Sequence, residues 1–360
     1  MSRSLEQILG YVFLTGVIQS VKTGIPNVLP EAFQNTKKDV LGDQGRYVSV
    51  TGTRKTARSA AYGSPARMRD LKDISEKDVK LIHSFEQIQM KPLLLQMLRN
   101  YDNYDVQKMG IDEVSRQQAE FRKYFDNLRL AAVYSMLSLG HIYFDDAGNL
   151  LPTSSGSQLD VDFQISANNM NQLNGIITAS WANNNTDIPL QLRNLKTRSL
   201  QQTGYPLKYA FYGANIPSYL TQNNYVLDYL SRNPKYAEKY LDEAELPDGL
   251  FGFKWVPVYT AFFEDSSGTN QTFFGGDTVV FTPEITSEVY EMMEGTYQVP
   301  TSFNAVSDLL AALGSMKQVR GMFSYALPEH NPVTVNLFAG DTFLPVIKTP
   351  NAYYLADTTP

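Results

Sequence analysis

The 360-residue sequence predicts an α+β protein with one long helix at its centre and an extended two-stranded projection ahead of it. Three observations lead there. Apolar residues recur at helical spacing over 112–139, the strongest periodicity in the chain. Short alternating apolar runs, bounded by Gly, Pro and Asn, read as strands before and after it. Hydrophobic residues make up 43% and charged residues 19%, the balance of a chain that folds rather than one that stays disordered or forms a membrane bundle. The length allows two or three domains.

Residues 1–38 read as an arm. Its most apolar stretch, Ile8 to Ile18, is too short to span a membrane and is interrupted by Gly10, Thr15 and Gly16. Arg3 is the only nearby basic charge, Glu6 interrupts, and no small-x-small cleavage site follows. The stretch therefore reads as an amphipathic segment that docks on protein, not as a secretory signal. Ile25-Pro26 and Leu29-Pro30 disfavour a continuous helix through the rest of the arm.

Residues 39–78 read as a long β-hairpin. Tyr47 to Thr51 and Ala66 to Arg69 are its strands, around a small polar tip from Thr56 to Ser64. The hairpin shows hardly any apolar face, and an isolated two-stranded hairpin is marginal in water. It must lie on its own chain or on a neighbour.

The net charge is −6, which argues against a protein that coats nucleic acid over its whole surface. The charge is also uneven. Over 46–72, Arg46, Arg54, Lys55, Arg58, Arg67, Arg69 and Lys72 stand against Asp70 alone, a net of +6, leaving −12 for the remainder. Residues 236–294 hold 12 acidic side chains against Lys239 and Lys254, a net of −10. Opposite patches on identical subunits permit a head-to-tail contact. The candidate contact residues are Arg46, Arg54, Lys55, Arg58, Arg67 and Arg69 on the hairpin, and Glu238, Asp242, Glu243 and Glu245 in the acidic region.

In the long helix, Val114, Gln118, Phe121, Phe125, Leu128, Ala132, Met136 and Leu139 form one stripe, with Asp112 placed to cap the start and Gly140 the end. Arg116, Arg122, Lys123 and Arg129 sit off the stripe. Next, Ile142 to Phe144 and Leu150-Leu151 flank a turn at Asp145 to Asn149, which lacks the alternate acidic positions of a calcium loop. Leu159 to Phe163 alternates as a half-buried strand. A helix follows over Asp187 to Gln201, then a strand over Leu207 to Tyr212 and a helical stretch over Pro217 to Leu230. Strands are expected at Trp255 to Phe263 and Thr278 to Thr282, a helix at 303–316, and strands at Val333 to Phe338 and Phe343 to Lys348.

Catalytic patterns do not emerge. Zero cysteines exclude disulfides, thiol catalysis and Cys-ligated metals. The three histidines, His83, His141 and His330, share no motif, and there is no His-Glu-x-x-His, Gly-x-Ser-x-Gly or Rossmann glycine fingerprint. Thr51 to Thr56 lacks the glycine directly before lysine that a phosphate loop needs. No catalytic, cofactor or metal site is expected, and the chain does not read as an enzyme.

The order of arm, basic hairpin, long helix, small hairpin, mixed region and terminal strands resembles the major capsid proteins of tailed bacteriophages with the Hong Kong 97-type fold. Within these it is similar to the lambda-like major capsid protein E family. Four stretches carry the resemblance: Gly45 to Leu71; Asp112 to Gly140 with the Asp146-Ala147-Gly148 turn; Trp181 with Asp187-Ile188-Pro189-Leu190; and Asn331-Pro332-Val333 through Phe343-Leu344-Pro345 to Pro350-Asn351-Ala352. The resemblance implies an N-terminal arm (1–38), an extended loop (39–78), a peripheral domain (79–165) with spine helix 112–140, an axial domain (166–327), and C-terminal strands returning to the peripheral domain (328–360). It further implies self-assembly as pentamers and hexamers into an icosahedral head around double-stranded DNA, contacted without sequence specificity. A separate scaffolding protein, a portal and a decoration protein would be partners, with assembly in the host cytoplasm and no membrane. The competing readings are another virion structural protein (connector, tail or decoration subunit) and a soluble nucleic-acid-binding protein using 46–72, where only Tyr47 and Tyr62 could stack on bases. A glycan-directed enzyme rests on the Tyr and Trp content alone.

Overall fold

The computed structural model describes residues 4–20, 33, 36–50, 74–100, 102–146, 148–170, 176–232, 246–258, 262–264, 268–300, 316–330 and 333–359. The long helix runs from Tyr104 to Leu139, eight residues longer at its start than its periodicity suggests. Asn103, not Asp112, caps it, accepting hydrogen bonds from the Asp105 and Val106 amides at 3.2 and 3.4 Å. Gly110 hides the first two turns from a reading by propensity. It is glycine because Leu98 of the preceding helix, Pro92–Leu98, packs there; a Cβ would lie 2.9 Å from Leu98 Cδ2. Gly140 ends the helix in the left-handed region at φ 68°, its amide donating to Met136 O. The expected stripe faces inward: Val114, Gln118, Phe121, Phe125, Ala132 and Met136 are buried.

The helix lies across a six-stranded sheet. At its centre is Val333–Ile347, one continuous strand of 15 residues where two were expected. It pairs antiparallel with Phe323–His330 and Tyr290–Pro300 along one side and with Ile82–Gln89 along the other. Tyr290–Pro300 in turn pairs with Lys37–Val40 and Met316–Arg320. Odd-numbered residues of the central strand, among them Val335, Leu337 and Ala339, meet Val114, Phe121 and Phe125 of the helix.

A second unit surrounds a four-stranded sheet in which Tyr354–Asp357, Thr278–Pro283, Leu207–Tyr212 and Lys254–Pro257 are neighbours in that order. Helices Ile188–Gln202, Ile216–Gln222 and Asn224–Ser231 pack on it. The single helical stretch expected over 217–230 is thus two helices, because Asn223 is extended and caps the second through the Tyr225 and Val226 amides. Trp181 is fully buried beside Ile188, its Nε1 donating to Gln191 Oε1 at 3.0 Å. The strand pairing departs from the expected domain boundaries. Residues 290–300 and 316–327, assigned to the axial domain, belong to the six-stranded sheet, and Tyr354–Asp357 closes the four-stranded one. The helix expected at 303–316 lies outside the described residues except for Met316, which is in a strand.

Residues 4–20 form two short helices, Leu5–Leu9 and Tyr11–Ser20, seated on the chain's own sheet and long helix through Ile8, Leu9, Leu14 and Ile18. This part of the arm is docked at home rather than extended to a neighbour.

Candidate assembly interface

The hairpin is anchored at its root. Gln44–Val50 and Ile74–Lys80 pair antiparallel and with no other strand among the described residues. Burial alternates along Gln44–Val50: Gly45, Tyr47 and Ser49 face the body, and Arg46 and Val48 face out. A Cβ at Gly45 would stand 2.7 Å from Met293 Sδ, so the stem lies close on strand Tyr290–Pro300. Tyr47 is buried in the main core, and its hydroxyl has no hydrogen-bond partner. Burial, aided by the charge of Asp162, pushes the Tyr47 phenol up to about 12. Lys77 donates to Asp162 O at 3.2 Å, and Val50 N–H, at the end of the strand, to Lys348 O at 2.7 Å. The expectation of a hairpin with no face of its own therefore fails for the stem, whose alternate small and aromatic residues supply one. The second strand expected at 66–69 lies outside the described residues.

Of the candidate contact residues, Arg46 alone falls within the described stem. It bonds Asp78 Oδ1 at 2.7 Å directly across the hairpin and reaches Glu76 Oε2 at 3.4 Å, all three exposed. The hydrogen bond from Arg46 holds the Asp78 carboxyl below its usual range. Within the chain these two carboxylates answer its charge, and the pair with Asp78 braces the stem. Arg54, Lys55, Arg58, Arg67 and Arg69, and likewise Glu238, Asp242, Glu243 and Glu245, lie outside the described residues.

The rest of the acidic region is not one patch. Glu291 faces Lys348 at 3.7 Å and Lys38 at 4.0 Å, Glu284 pairs with Lys208, and Asp277 accepts from Tyr219 Oη at 2.7 Å. Glu294 belongs to a network that sequence reading missed. Arg129, in the long helix, makes two 2.6 Å bonds to Asp341 of the central strand and one of 2.9 Å to Glu294 Oε1. Lys37 reaches the same Glu294 oxygen at 2.8 Å. Burial works to lower the Arg129 guanidinium, but the charges of Asp341 and Glu294 outweigh it and hold the group above its ordinary value. Burial likewise works to raise Glu294, and Arg129 with Lys37 outweighs it downward. Helix, central strand and the strand leading to the hairpin are thus pinned at one point. A basic residue flanked by Leu128 and Leu130, facing an Asp inside an apolar strand, was the available signal.

Asp160 and Asp162 flank the His141 ring, at 3.0 Å from Nδ1 and 3.6 Å from Nε2. Among the described residues no three His, Asp or Glu side chains are grouped to hold a metal ion. Among the described residues the surface features that stand out are the anchored stem and the sheet edges.

The family model for phage major capsid protein E matches residues 12–357. The chain belongs to that family. This capsid protein is also similar in structure to a protein described as a prophage capsid protein from E. coli CFT073, at 13% identity over 79% of this chain and 80% of the other, with TM-score 0.49. A phage-related protein from Bordetella bronchiseptica RB50 is 10% identical over 97% of both chains, with TM-score 0.49. A subunit of the bacteriophage PhiM1 mature capsid is 10% identical over 94% of this chain and 89% of the other, with TM-score 0.44. No curated protein matches the chain. In this capsid protein the element order is two short helices, a hairpin stem, a long helix across a six-stranded sheet, and a second sheet-and-helix unit.

Proposed function

We propose that this chain is the repeating subunit of an icosahedral phage head, assembling as pentamers and hexamers around double-stranded DNA. The match to the major capsid family over nearly the whole chain carries the reading. The two-stranded stem supports it, because it is fixed to the body and the basic stretch 51–73 joins its two strands. In this reading Arg54, Lys55, Arg58, Arg67 and Arg69 of one copy meet acidic residues of the next, Glu238, Asp242, Glu243 and Glu245 among them. Residues 1–38 form the arm, 39–78 the extended loop. A separate scaffolding protein, a portal and a decoration protein are the partners. Assembly occurs in the host cytoplasm. The negative net charge suits containment of DNA rather than tight binding.

Negative-stain microscopy of the purified protein tests the reading; closed particles or five- and six-membered rings are expected, and only single subunits would refute it. Replacing residues 52–72 by a short Gly-Ser link should leave a subunit that melts like the full chain but closes no shells. Intact shells from that variant would remove the hairpin from assembly. Reversing Arg54, Lys55 and Arg58 to Glu should weaken assembly most at low salt, because screening limits charge attraction to about 10 Å at 0.1 M.

A further inference from the structure

Strand Ile82–Gln89 leaves one side of its backbone ladder unused. Met90 N–H donates to Val335 O at 2.8 Å, in register with Gln89 opposite Asn336. Even-numbered residues of the strand therefore bond inward, and the N–H and C=O groups of His83, Phe85, Gln87 and Gln89 point away from the sheet. No strand pairs with them among the described residues, and all four side chains are exposed. The opening begins after Leu81, whose N–H is taken by Asp43 O at 2.8 Å. The sheet's other long edge, Phe323–His330, is treated differently. There the Thr15 hydroxyl donates to Ser324 O at 2.9 Å and accepts from Ser324 N–H at 3.1 Å, and Pro328 has no N–H to offer. Ile82–Gln89 has no proline and a single charge, at Glu86, so few of the devices that blunt an edge are present.

The parity of the open groups restricts how a second strand can add. Odd-numbered residues must face odd-numbered residues, so this strand can pair antiparallel with its own copy in only a few symmetric registers. Centred on Phe85, the register sets Phe85 beside Phe85 and His83 opposite Gln87 on one face. On the other face Ile82 opposes Ile88 and Ser84 opposes Glu86. Apolar meets apolar and polar meets polar along the whole pair. Centred on Glu86, the register opposes two like charges and sets Phe85 against Gln87. Centred on Ser84, it sets Ile82 against Glu86; centred on Gln87, it sets Glu86 against Ile88. Of these registers the Phe85-centred one alone matches. A platform for it is already in place: Phe85, 41% exposed, stacks on Phe338 at 5.6 Å, and Phe338 on Tyr325 at 5.2 Å. A second Phe85 ring alongside would extend that run of rings.

We propose that Ile82–Gln89 pairs antiparallel with the same strand of a second copy, about a two-fold axis at Phe85, joining two six-stranded sheets into one. The inference rests on the capsid reading and adds a contact between copies to it. A closed shell sets copies in pairs about two-fold axes, and an isologous contact there needs one self-complementary patch. The strand supplies that patch, and Glu86 sets the register by excluding the one centred on itself. A single pair of short strands is a small interface, weak alone and effective by repetition over the shell.

Hydrogen exchange and cysteine pairing, on free subunits and on assembled shells, test this. The amides of His83, Phe85 and Gln87 should exchange about tenfold or more slowly in shells. The chain has no cysteine, so His83→Cys and Gln87→Cys subunits can be assembled together and oxidised. Disulfide dimers joining one variant to the other are expected, and neither variant assembled alone should link. Gln87→Pro removes an N–H that the chain's own ladder does not use, so the subunit should fold and melt like the unaltered one. The two-fold contact then loses one hydrogen bond from each copy and should weaken by about thirtyfold. Equal exchange of the three amides in both states would overturn the proposal. So would slowed exchange without dimers between positions 83 and 87, the sign of a different segment seated on the edge. Either result in intact shells overturns this inference alone; an unaltered chain that forms neither shells nor rings removes the capsid reading and this inference with it.

Discussion

Replacing Arg129 with alanine should release the long helix from the sheet it crosses. Asp341 has 0% of its side chain exposed and would lose both of its 2.6 Å bonds to the guanidinium. Glu294, 12% exposed, would keep only Lys37. Removing one member of a buried ion pair costs about 3–5 kcal/mol, because the remaining charge has neither partner nor water. The contact of the guanidinium with the Phe343 ring, 5.1 Å from its centroid, adds about 0.5 kcal/mol or more. For a chain of this size the loss corresponds to a fall in Tm on the order of 8 °C. Thermal unfolding of the free subunit, followed by circular dichroism near neutral pH and at mildly acid pH, measures it. The pH dependence has a definite sign. In the native protein Glu294 is held below its usual range, so its contribution is present above the unfolded carboxylate pKa and is lost as pH falls through the lowered folded value. In the variant, burial without Arg129 favours the protonated Glu294 carboxyl, so acid relieves its penalty. The gap between the two proteins should therefore narrow as the pH is lowered toward ~4. A second variant, Arg129→Met with Asp341→Leu, should recover much of the loss by replacing the pair with apolar volume. A single Arg129→Ala protein melting with the native one at both pH values would refute the idea that this network joins helix to sheet.

Two further perturbations follow from the described geometry. Asn103→Ala should destabilise by about 1 kcal/mol in urea unfolding, whereas Asp112→Ala should change stability by less than about 0.5 kcal/mol; the reverse order would place the helix start at 112. Tyr47→Phe removes a buried hydroxyl that has no partner, so it should be neutral or slightly stabilising, and a loss of more than about 1 kcal/mol in the same assay would show that the hydroxyl is bonded.

What was legible in the sequence was what depends on one residue's local chemistry or on a long period. Gly140 marked the helix end because a left-handed C-terminal residue needs glycine, and the apolar stripe from Val114 to Met136 marked its buried face. The start expected at Asp187 agrees with the helix Ile188–Gln202, which Asp187 caps by accepting from Leu190 N–H. What was lost depends on distant partners. Ala339-Gly340-Asp341-Thr342 looks like a break between strands. Yet Gly340 makes room for the Phe323 ring, which a Cβ would approach within 2.5 Å, and Asp341 is held by Arg129. No strand was expected at Tyr290–Pro300, whose Glu291 and Glu294 were counted in the acidic region; their cations arrive from Lys37, Lys38, Arg129 and Lys348. At the candidate interface the sequence placed the first strand of the stem but missed its buried face, since the spacing of Gly45, Tyr47 and Ser49 shows a face only once Met293 and the core are beneath it.

The same partners change how the charge asymmetry should be understood. Summed along the sequence, a net of +6 at 46–72 and −10 at 236–294 suggest two broad patches attracting across copies. In the folded chain Arg46 is matched by Asp78 and Glu76, while Glu284, Glu291 and Glu294 are matched by lysines and an arginine of the same molecule. Internal pairs of this kind lower the long-range field without removing local recognition. The other basic residues of 46–72 lie between Val50 and Ile74, outside the described residues. The stem itself is fixed by burial of Tyr47, by the close approach at Gly45 and by the bonds from Val50 and Lys77. A projection ordered at its root loses less conformational freedom when its tip is captured, so more of the contact free energy remains to hold subunits together. In the proposed assembly, burial at the base and charge in the stretch between the two strands are complementary, and a substitution that loosens the base should weaken contact between copies without touching a single proposed contact residue.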